Sequence, residues 1–417
     1  MELTKVKLSD VARVEISGVD KKSKPGQKSV RLCNFVDVYH NWAITQDMRD
    51  SFMEATASDK EIEALSIKKG QVAFTKDSET RDDIGIPTYI ADDFDDVVLG
   101  YHNALITPDE RKLNGKYLNA FMHSSYIQKY FENNASGSGQ RYTLSNDTVN
   151  SIPILLPTIK EQEKIGNLFS LIDRKIALNK KMNQKLEAMA KRLYDYWFVQ
   201  FDFPDKNGLP YKTTGGPMTY NPTLKREIPA GWEVSTLANF AEYVKTTTKF
   251  DKAFNYVSTD NMLAEKQGLS GEILKPASGN VLCYEKNDIL ISNIRPYFKK
   301  IWYADQSGTC STDVLCVRSL NPDNSYFVYR TLWQDDFFDY VMQGAKGSKM
   351  PRGDKTRIMN YPICIAKENF DELIKKFSAL VVPMQAVIQK NTRENTCLTK
   401  LRDKLLPLLM NGQVTVA

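Results

Sequence analysis

The residues best suited to chemistry in this chain are cations set among glycines and amides. The run from Ala345 to Ile358 holds Lys346, Ser348, Lys349, Arg352, Lys355 and Arg357 against one acid, Asp354, with Gly347 and Gly353 inside it. Small residues let a backbone approach a phosphate, and the cations neutralise its charge. A second run, Asn293-Ile294-Arg295-Pro296-Tyr297-Phe298-Lys299-Lys300, interleaves cations with aromatic rings. Weaker counterparts stand in the first half: Ser138, Gln140, Arg141 and Tyr142 for the first run, and Lys76, Ser78, Thr80 and Arg81 for the second. Arg, Asn, Gln and Lys on such loops can pair with base edges in a major groove. The plainer reading of the same residues is a solvated surface loop.

Catalytic patterns are missing. There is no GxxxxGK[ST] phosphate loop, no GxGxxG after a strand, no Asp-Pro-Pro-Tyr or Asn-Pro-Pro-Tyr segment and no GxSxG elbow. Pro108-Asp109 with Glu110 and Lys112 is too tightly spaced for a nuclease carboxylate set. Three histidines (His40, His102, His123) and six cysteines (Cys33, Cys283, Cys310, Cys316, Cys364, Cys397) show no metal-ligand spacing. No metal and no cofactor is expected in this chain. The 56 Lys and Arg against 51 Asp and Glu leave a formal charge of +5, which permits nucleic-acid binding without requiring it. With neither an eighteen-residue apolar run nor a signal-peptide core at Met1-Glu2-Leu3-Thr4-Lys5, the expectation is a cytoplasmic protein with reduced cysteines and no membrane contact.

The elements that must position these loops are two long amphipathic stretches. Between Pro157 and Pro204, Ile165, Ile172, Asn179, Leu186 and Leu193 share a seven-residue register. Leu168, Met182, Met189 and Tyr196 form a second register three residues on. Sustained heptads predict a long helix on the order of 60 Å that packs on another helix, with Asn179 as a register-setting polar residue. The partner lies near the end of the chain. There Phe370, Phe377, Met384, Asn391, Leu398 and Leu405 form one register, and Leu373, Leu380, Val387, Leu401 and Leu408 the other, with Glu394 in the gap. Pro383 is expected to kink or divide this second helix.

A long mixed segment precedes each helix, and the two segments repeat. Leu8 with Val11-Ala12 answers to Leu237 with Phe240-Ala241, an offset of 229. Lys69-Gly70-Gln71-Val72 answers to Lys286-Asn287-Asp288-Ile289 at 217, and Thr107-Pro108-Asp109 to Asn321-Pro322-Asp323 at 214. Ala135-Ser136-Gly137-Ser138 answers to Ala345-Lys346-Gly347-Ser348 at 210, and Ile152-Pro153-Ile154 to Tyr361-Pro362-Ile363 at 209. Offsets that shrink steadily describe one fold with loops of unequal length. Tyr117 to Phe131 has helical spacing, and residues 202–231, rich in Gly, Pro and Asp, read as a linker with little core of its own.

The sequence resembles a specificity (S) subunit of a type I restriction-modification system over essentially its whole length. The matching residues are Leu156-Pro157-Thr158-Ile159-Lys160-Glu161-Gln162-Glu163-Lys164-Ile165, Leu171-Ile172-Asp173-Arg174-Lys175-Ile176-Ala177-Leu178-Asn179, Leu186-Glu187-Ala188-Met189-Ala190 and Trp197-Phe198-Val199. Pro210-Tyr211-Lys212, Gly215-Gly216 and Arg226-Glu227-Ile228-Pro229-Ala230-Gly231-Trp232 extend the match. The resemblance implies an α+β fold: a tandem pseudo-twofold repeat of two globular target-recognition domains separated by two long antiparallel coiled-coil helices. The domains would span 1–157 and 232–363, the helices 158–201 and 364–412, and the linker 202–231.

Each domain would read one half of a split double-stranded DNA target, and the helices would dock two methyltransferase subunits. S-adenosylmethionine is expected in those partners, and ATP and Mg in the restriction (motor) subunits that complete the complex. This chain would supply recognition and no catalysis. One departure is the opening of the second helix, Ile365-Ala366-Lys367-Glu368-Asn369-Phe370, which lacks the Pro and the Glu-Gln pair of the first and makes the two docking surfaces unequal. A rival reading is a tandem protein-binding scaffold that never touches DNA. A self-contained nuclease or methyltransferase conflicts with the missing motifs.

Overall fold

The computed structural model describes residues 2–416 apart from Ser17 and Gly139, with Ser138 described in its backbone alone. The chain divides into two compact units, one of Met1–Asn179 with Glu394–Ala417 and one of Lys180–Arg393. The fold is α+β, and its two mixed domains share one core order of elements, to which the first adds helices Phe35–His40 and Asp59–Leu65.

In the first unit, strand Thr4–Lys7 pairs antiparallel with Pro153–Leu156. A five-stranded sheet follows in the order Ala12–Glu15, Asn103–Pro108, Val72–Thr75, Pro87–Ile90, Ala43–Ile44. Helices Gly115–Met122 and Ser125–Asn134 bury Tyr117, Leu118, Phe121, Ile127 and Phe131 in its main core. The stretch Tyr117–Phe131 is therefore two helices rather than one, parted at His123-Ser124. A smaller sheet of Lys28–Cys33, Met53–Ala57 and Val97–Leu99 carries a second core around Val30, Leu32, Phe52 and Leu99.

The second unit repeats this plan. Trp232–Thr236 pairs with Pro362–Ala366, and a sheet runs in the order Ala241–Tyr243, Val314–Ser319, Ile289–Ser292, Ile301–Tyr303. Helices Ser325–Leu332 and Asp335–Gln343 stand where the first unit has its own pair, 210 residues earlier. One proposed correspondence fails. Val72 pairs with Ile106 and Ile289 with Val317, so Ile106 answers to Val317 at an offset of 211 rather than 214. The shared Pro-Asp pairs sit at different points of two unequal turns, and the strand register overrules the letter match.

The first long helix runs Ile159–Tyr194 and continues as a wider π turn over Asp195–Val199. Thr158 and Glu161 start it with a capping box: the Glu161 N–H donates to Thr158 Oγ1 (3.4 Å) and the Thr158 N–H to Glu161 Oε2 (3.0 Å). Gln162 is buried beside it, accepting from the Asn114 N–H (2.9 Å) and donating to the carbonyls of Lys112 and Pro157 (3.0 Å each). That ties the helix to the turn ahead of Gly115–Met122.

The second long helix, Phe370–Met410, is unbroken. Pro383 does not divide it; its ring lies on the exposed face, between the buried Val381 and Gln385. Residues 364–366 are strand rather than helix, since they pair with Trp232–Glu233–Val234.

Helix pairing is antiparallel within each unit. In the first, Asn179 Nδ2 donates to Glu394 Oε2 (2.8 Å) and Asn395 Oδ1 (2.9 Å), while Lys164 reaches the Val416 carbonyl. In the second, Asn391 Nδ2 donates to Asn183 Oδ1 (2.9 Å), and Phe198 packs on Phe370 and Phe377.

The buried stripe contains Ile165, Ile172 and Asn179 as expected, with Leu186 and Leu193 half-buried. Its second row lies four residues on, not three: Phe169, Ile176, Asn183, Ala190 and Trp197 face inward. Leu168 is half-buried, and Met182, Met189 and Tyr196 are exposed. On the other helix Phe377 is buried and Met384, Leu398 and Leu405 are half-buried, but Leu380, Val387 and Leu401 are exposed, with Ile374, Val381 and Leu409 in their place. A heptad stripe accepts its second row on either side of the first, so apolar spacing alone picked the wrong flank.

Residues 202–231 are more than a linker. Ile228 enters the second unit's core, as does Phe201 just ahead of the stretch, and Phe203 stacks on Tyr211 and Trp232 at 4.8 and 5.0 Å. Asp202 accepts from the Thr213 N–H and hydroxyl at 2.7 Å each.

Candidate nucleic-acid interface

In the first unit, strand Val72–Thr75 runs on into Asp77–Ser78, and that short strand pairs with Arg141–Thr143, which pairs in turn with Ser136–Ser138. Two candidate loops far apart in sequence are thus stitched into one three-stranded corner. Gly137 makes the hairpin possible: its φ is +145°, and a Cβ there would meet the Arg141 carbonyl oxygen at 2.1 Å.

Asp77 is the hub of this corner. Its side chain is nearly buried and takes Arg141 Nη2 at 2.9 Å, His102 Nδ1 at 2.5 Å and Lys76 Nζ at 3.5 Å. Burial acts to raise its carboxyl, but hydrogen bonds from Thr143, His102 and Arg141, helped by the charge of Lys76, outweigh it and hold the group down at about 2. Arg81 lies over the Tyr142 ring, 5.0 Å from its centroid, and Ser78 Oγ accepts from the Thr80 N–H (3.3 Å). Thr80, Arg81, Gln140 and Arg141 are exposed. The side chain of Ser138 lies outside the described residues.

The second unit builds the corresponding corner. Strand Ile289–Ser292 leads into Asn293–Lys300, where Arg295 (φ +49°) and Lys299 (φ +52°) flank the single turn Pro296–Phe298. The Arg295 N–H donates to the Pro351 carbonyl (2.8 Å), Gly353 N–H to that of Asn293 (3.4 Å), and Lys346 and Arg352 exchange backbone hydrogen bonds of 2.9 Å. The two basic runs therefore touch.

Much of their charge is already matched. Lys346 pairs with Asp354 (3.2 Å), Arg352 with Asp313 (3.0 Å) and Lys299 with Asp335 (2.6 Å), while Lys300 Nζ donates to the Thr259 carbonyl (2.7 Å). Arg357 is structural, bonded to the Tyr340 carbonyl and to Gln343. Among the described residues Arg81, Arg295, Lys349 and Lys355 have no acid within ion-pair distance; Tyr297, Ser348 and Lys349 are exposed. Cations, amides and rings on two rigid corners can hold phosphates and reach base edges. Among the described residues no group of three His, Cys, Asp or Glu is placed to hold a metal ion.

Sequence reasoning missed His102, Asp313 and Asp335. Each lies on an element remote from the loop it serves, and no spacing rule links them.

A family model described as the type I restriction modification DNA specificity domain matches residues 2–188. The MjaIX type I restriction enzyme specificity subunit of Methanocaldococcus jannaschii is 24% identical over 318 residues, covering 72% of this chain and 69% of that protein. The HindI specificity subunit of Haemophilus influenzae is 24% identical over 420 residues, covering 84% and 87%. A crystal structure of a type I restriction-modification S subunit from M. genitalium shares the fold, with a TM-score of 0.61 at 15% identity over 98% of this chain and 96% of that one.

Proposed function

The chain belongs to the specificity subunits of type I restriction-modification systems, and from that premise we propose that its two mixed domains each read one half of a split DNA target. The observation that carries this is the repeated corner. In both units the strand-end loop of the central sheet (76–81, 293–300) meets the loop after the second domain helix (136–143, 345–353), and both bring cations beside exposed polar groups. Arg81, Arg295, Lys349 and Lys355 are not held by an acid among the described residues, so they, with the rings of Tyr142 and Tyr297, are assigned the DNA contacts. Lys76, Arg141, Lys299, Lys346 and Arg352 are assigned chiefly to holding the corners.

Recognition without catalysis is the role of this chain. Methylation of adenine N6 and cleavage fall to the partners: S-adenosylmethionine to two methyltransferase subunits, ATP and Mg to restriction subunits. The exposed apolar residues on the long helices, Met182, Met189, Leu380 and Val387 in the second unit and Leu171, Leu178 and Leu401 in the first, are assigned to docking the methyltransferase. No helix of the described residues is long and apolar enough to cross a membrane. We place the subunit in the cytoplasm, with its DNA.

The test is single-molecule methylome sequencing of a host expressing this chain with its own methyltransferase subunit. The expected result is a split motif with N6-methyladenine in both halves. A continuous motif would refute two readers, and no new methylation would favour the protein-binding scaffold.

A further inference from the structure

Arg330 is the largest side chain buried to 0% exposure, yet its charge is met poorly. Nη1 lies 3.5 Å from Glu187 Oε1, while Nε, Nη2 and the second Glu187 oxygen have no hydrogen-bond partner among the described residues. A buried ion pair with unsatisfied atoms is seldom the most stable choice for its space. The repeat gives the comparison. The residue matching Arg330 in the first domain, 210 positions earlier, is Ala120, equally buried and needing no counter-charge. The fold therefore does not require an arginine there.

What the pair touches suggests its use. The Arg330 guanidinium lies over the Trp333 ring at 4.2 Å, and Lys266 Nζ lies over the same ring at 4.2 Å. Lys266 pairs with Asp335 (2.7 Å), which also holds Lys299 (2.6 Å), and the Lys266 N–H donates to the Lys299 carbonyl (3.0 Å). The contacts thus run without a gap from the first long helix to the turn carrying Arg295 and Tyr297. Glu265, Lys266, Arg295 and Lys299 all have left-handed backbone, a strained state that persists only where the surroundings fix it.

We propose that Glu187 and Arg330 are positioning residues that seat the second reading domain on its helix and so aim the 293–300 turn at DNA. This rests on the two-reader function above. The experiment uses the subunit complexed with its methyltransferase and replaces both charges, E187M together with R330M, which leaves no lone buried charge. Methylation rates are compared on the target and on duplexes changed by one base pair in either half.

The expected result is an unchanged or higher melting temperature, with discrimination reduced tenfold or more in one half of the target and intact in the other. E187Q, which keeps the acceptor, should restore most of it. Wild-type discrimination in both halves, or equal loss in both, would overturn the proposal. If the double variant loses its fold, E187Q alone decides: a folded variant with partial loss confined to one half supports the assignment, and loss in neither or both refutes it. A wild-type complex that yields no split motif would instead sink the two-reader function itself.

Discussion

Replacing Asp77 by Asn tests whether charge holds the first corner together. The carboxyl sits at about 2 in the folded chain against an ordinary 3.8, because the hydrogen bonds and charges around it overcome its burial. A drop of nearly two pH units corresponds to about 2 kcal/mol, with little loss to screening because the side chain is only 9% exposed. The folded value lies below the unfolded one, so this stabilisation is complete above the ordinary value of 3.8 and is lost as the pH falls toward 2. Asp77→Asn should therefore lower the unfolding free energy of the first unit by about 2 kcal/mol near neutral pH, and the gap should close by pH ~2.

Urea unfolding at a series of pH values, read through amide exchange of residues 72–78, measures this directly. A gap of constant size at every pH would mean that shape rather than charge is responsible, and no gap would remove Asp77 as the hub. The same change frees Arg141. The logarithmic salt slope of DNA binding should then steepen by about one phosphate contact.

The seam assignment predicts that Ile176→Ala destabilises the first unit by ~2–4 kcal/mol while Leu178→Ala stays within ~0.5 kcal/mol, measured by thermal unfolding. The reverse order would put the seam on a face that neither row occupies. Met182→Asp with Met189→Asp should leave the fold intact and weaken methyltransferase association at least tenfold in titration calorimetry, and full affinity would move docking elsewhere. Lys346, Lys349 and Arg352 neutralised together should flatten the salt dependence of DNA binding. Since Asp354 and Asp313 already hold two of them, Lys349→Ala alone should account for most of the change, about one contact in the slope.

The repeat, the long helices and the two basic runs were readable because each leaves a periodic or compositional trace, whereas the contact between those runs is made only by the fold. Leu8 and Leu237 open matching turns, and Ile165, Ile172 and Asn179 fall on the buried stripe. What escaped depends on choices that periodicity cannot make. Met182 and Asn183 differ in apolarity in the wrong sense: the methionine faces solvent, and the asparagine is held by Asn391. The linker's Ile228 looked like an isolated apolar residue among turns, because the core it enters is formed by distant strands. Asp77, Asp313 and Asp335 decide which cations stay available, and apart from Lys76 beside Asp77 they meet those cations only through tertiary folding.

The first unit needs residues 394–416, and the second is one uninterrupted segment. During synthesis the ribosome delivers everything the second unit requires before Leu406, Leu409 and Met410 exist to cover Ile165 and Phe169. The first domain is thus completed only after the second. A frameshift after codon 393 should cripple the reader encoded first, while a gene segment spanning codons 180–393 can be exchanged as a block that carries its own core.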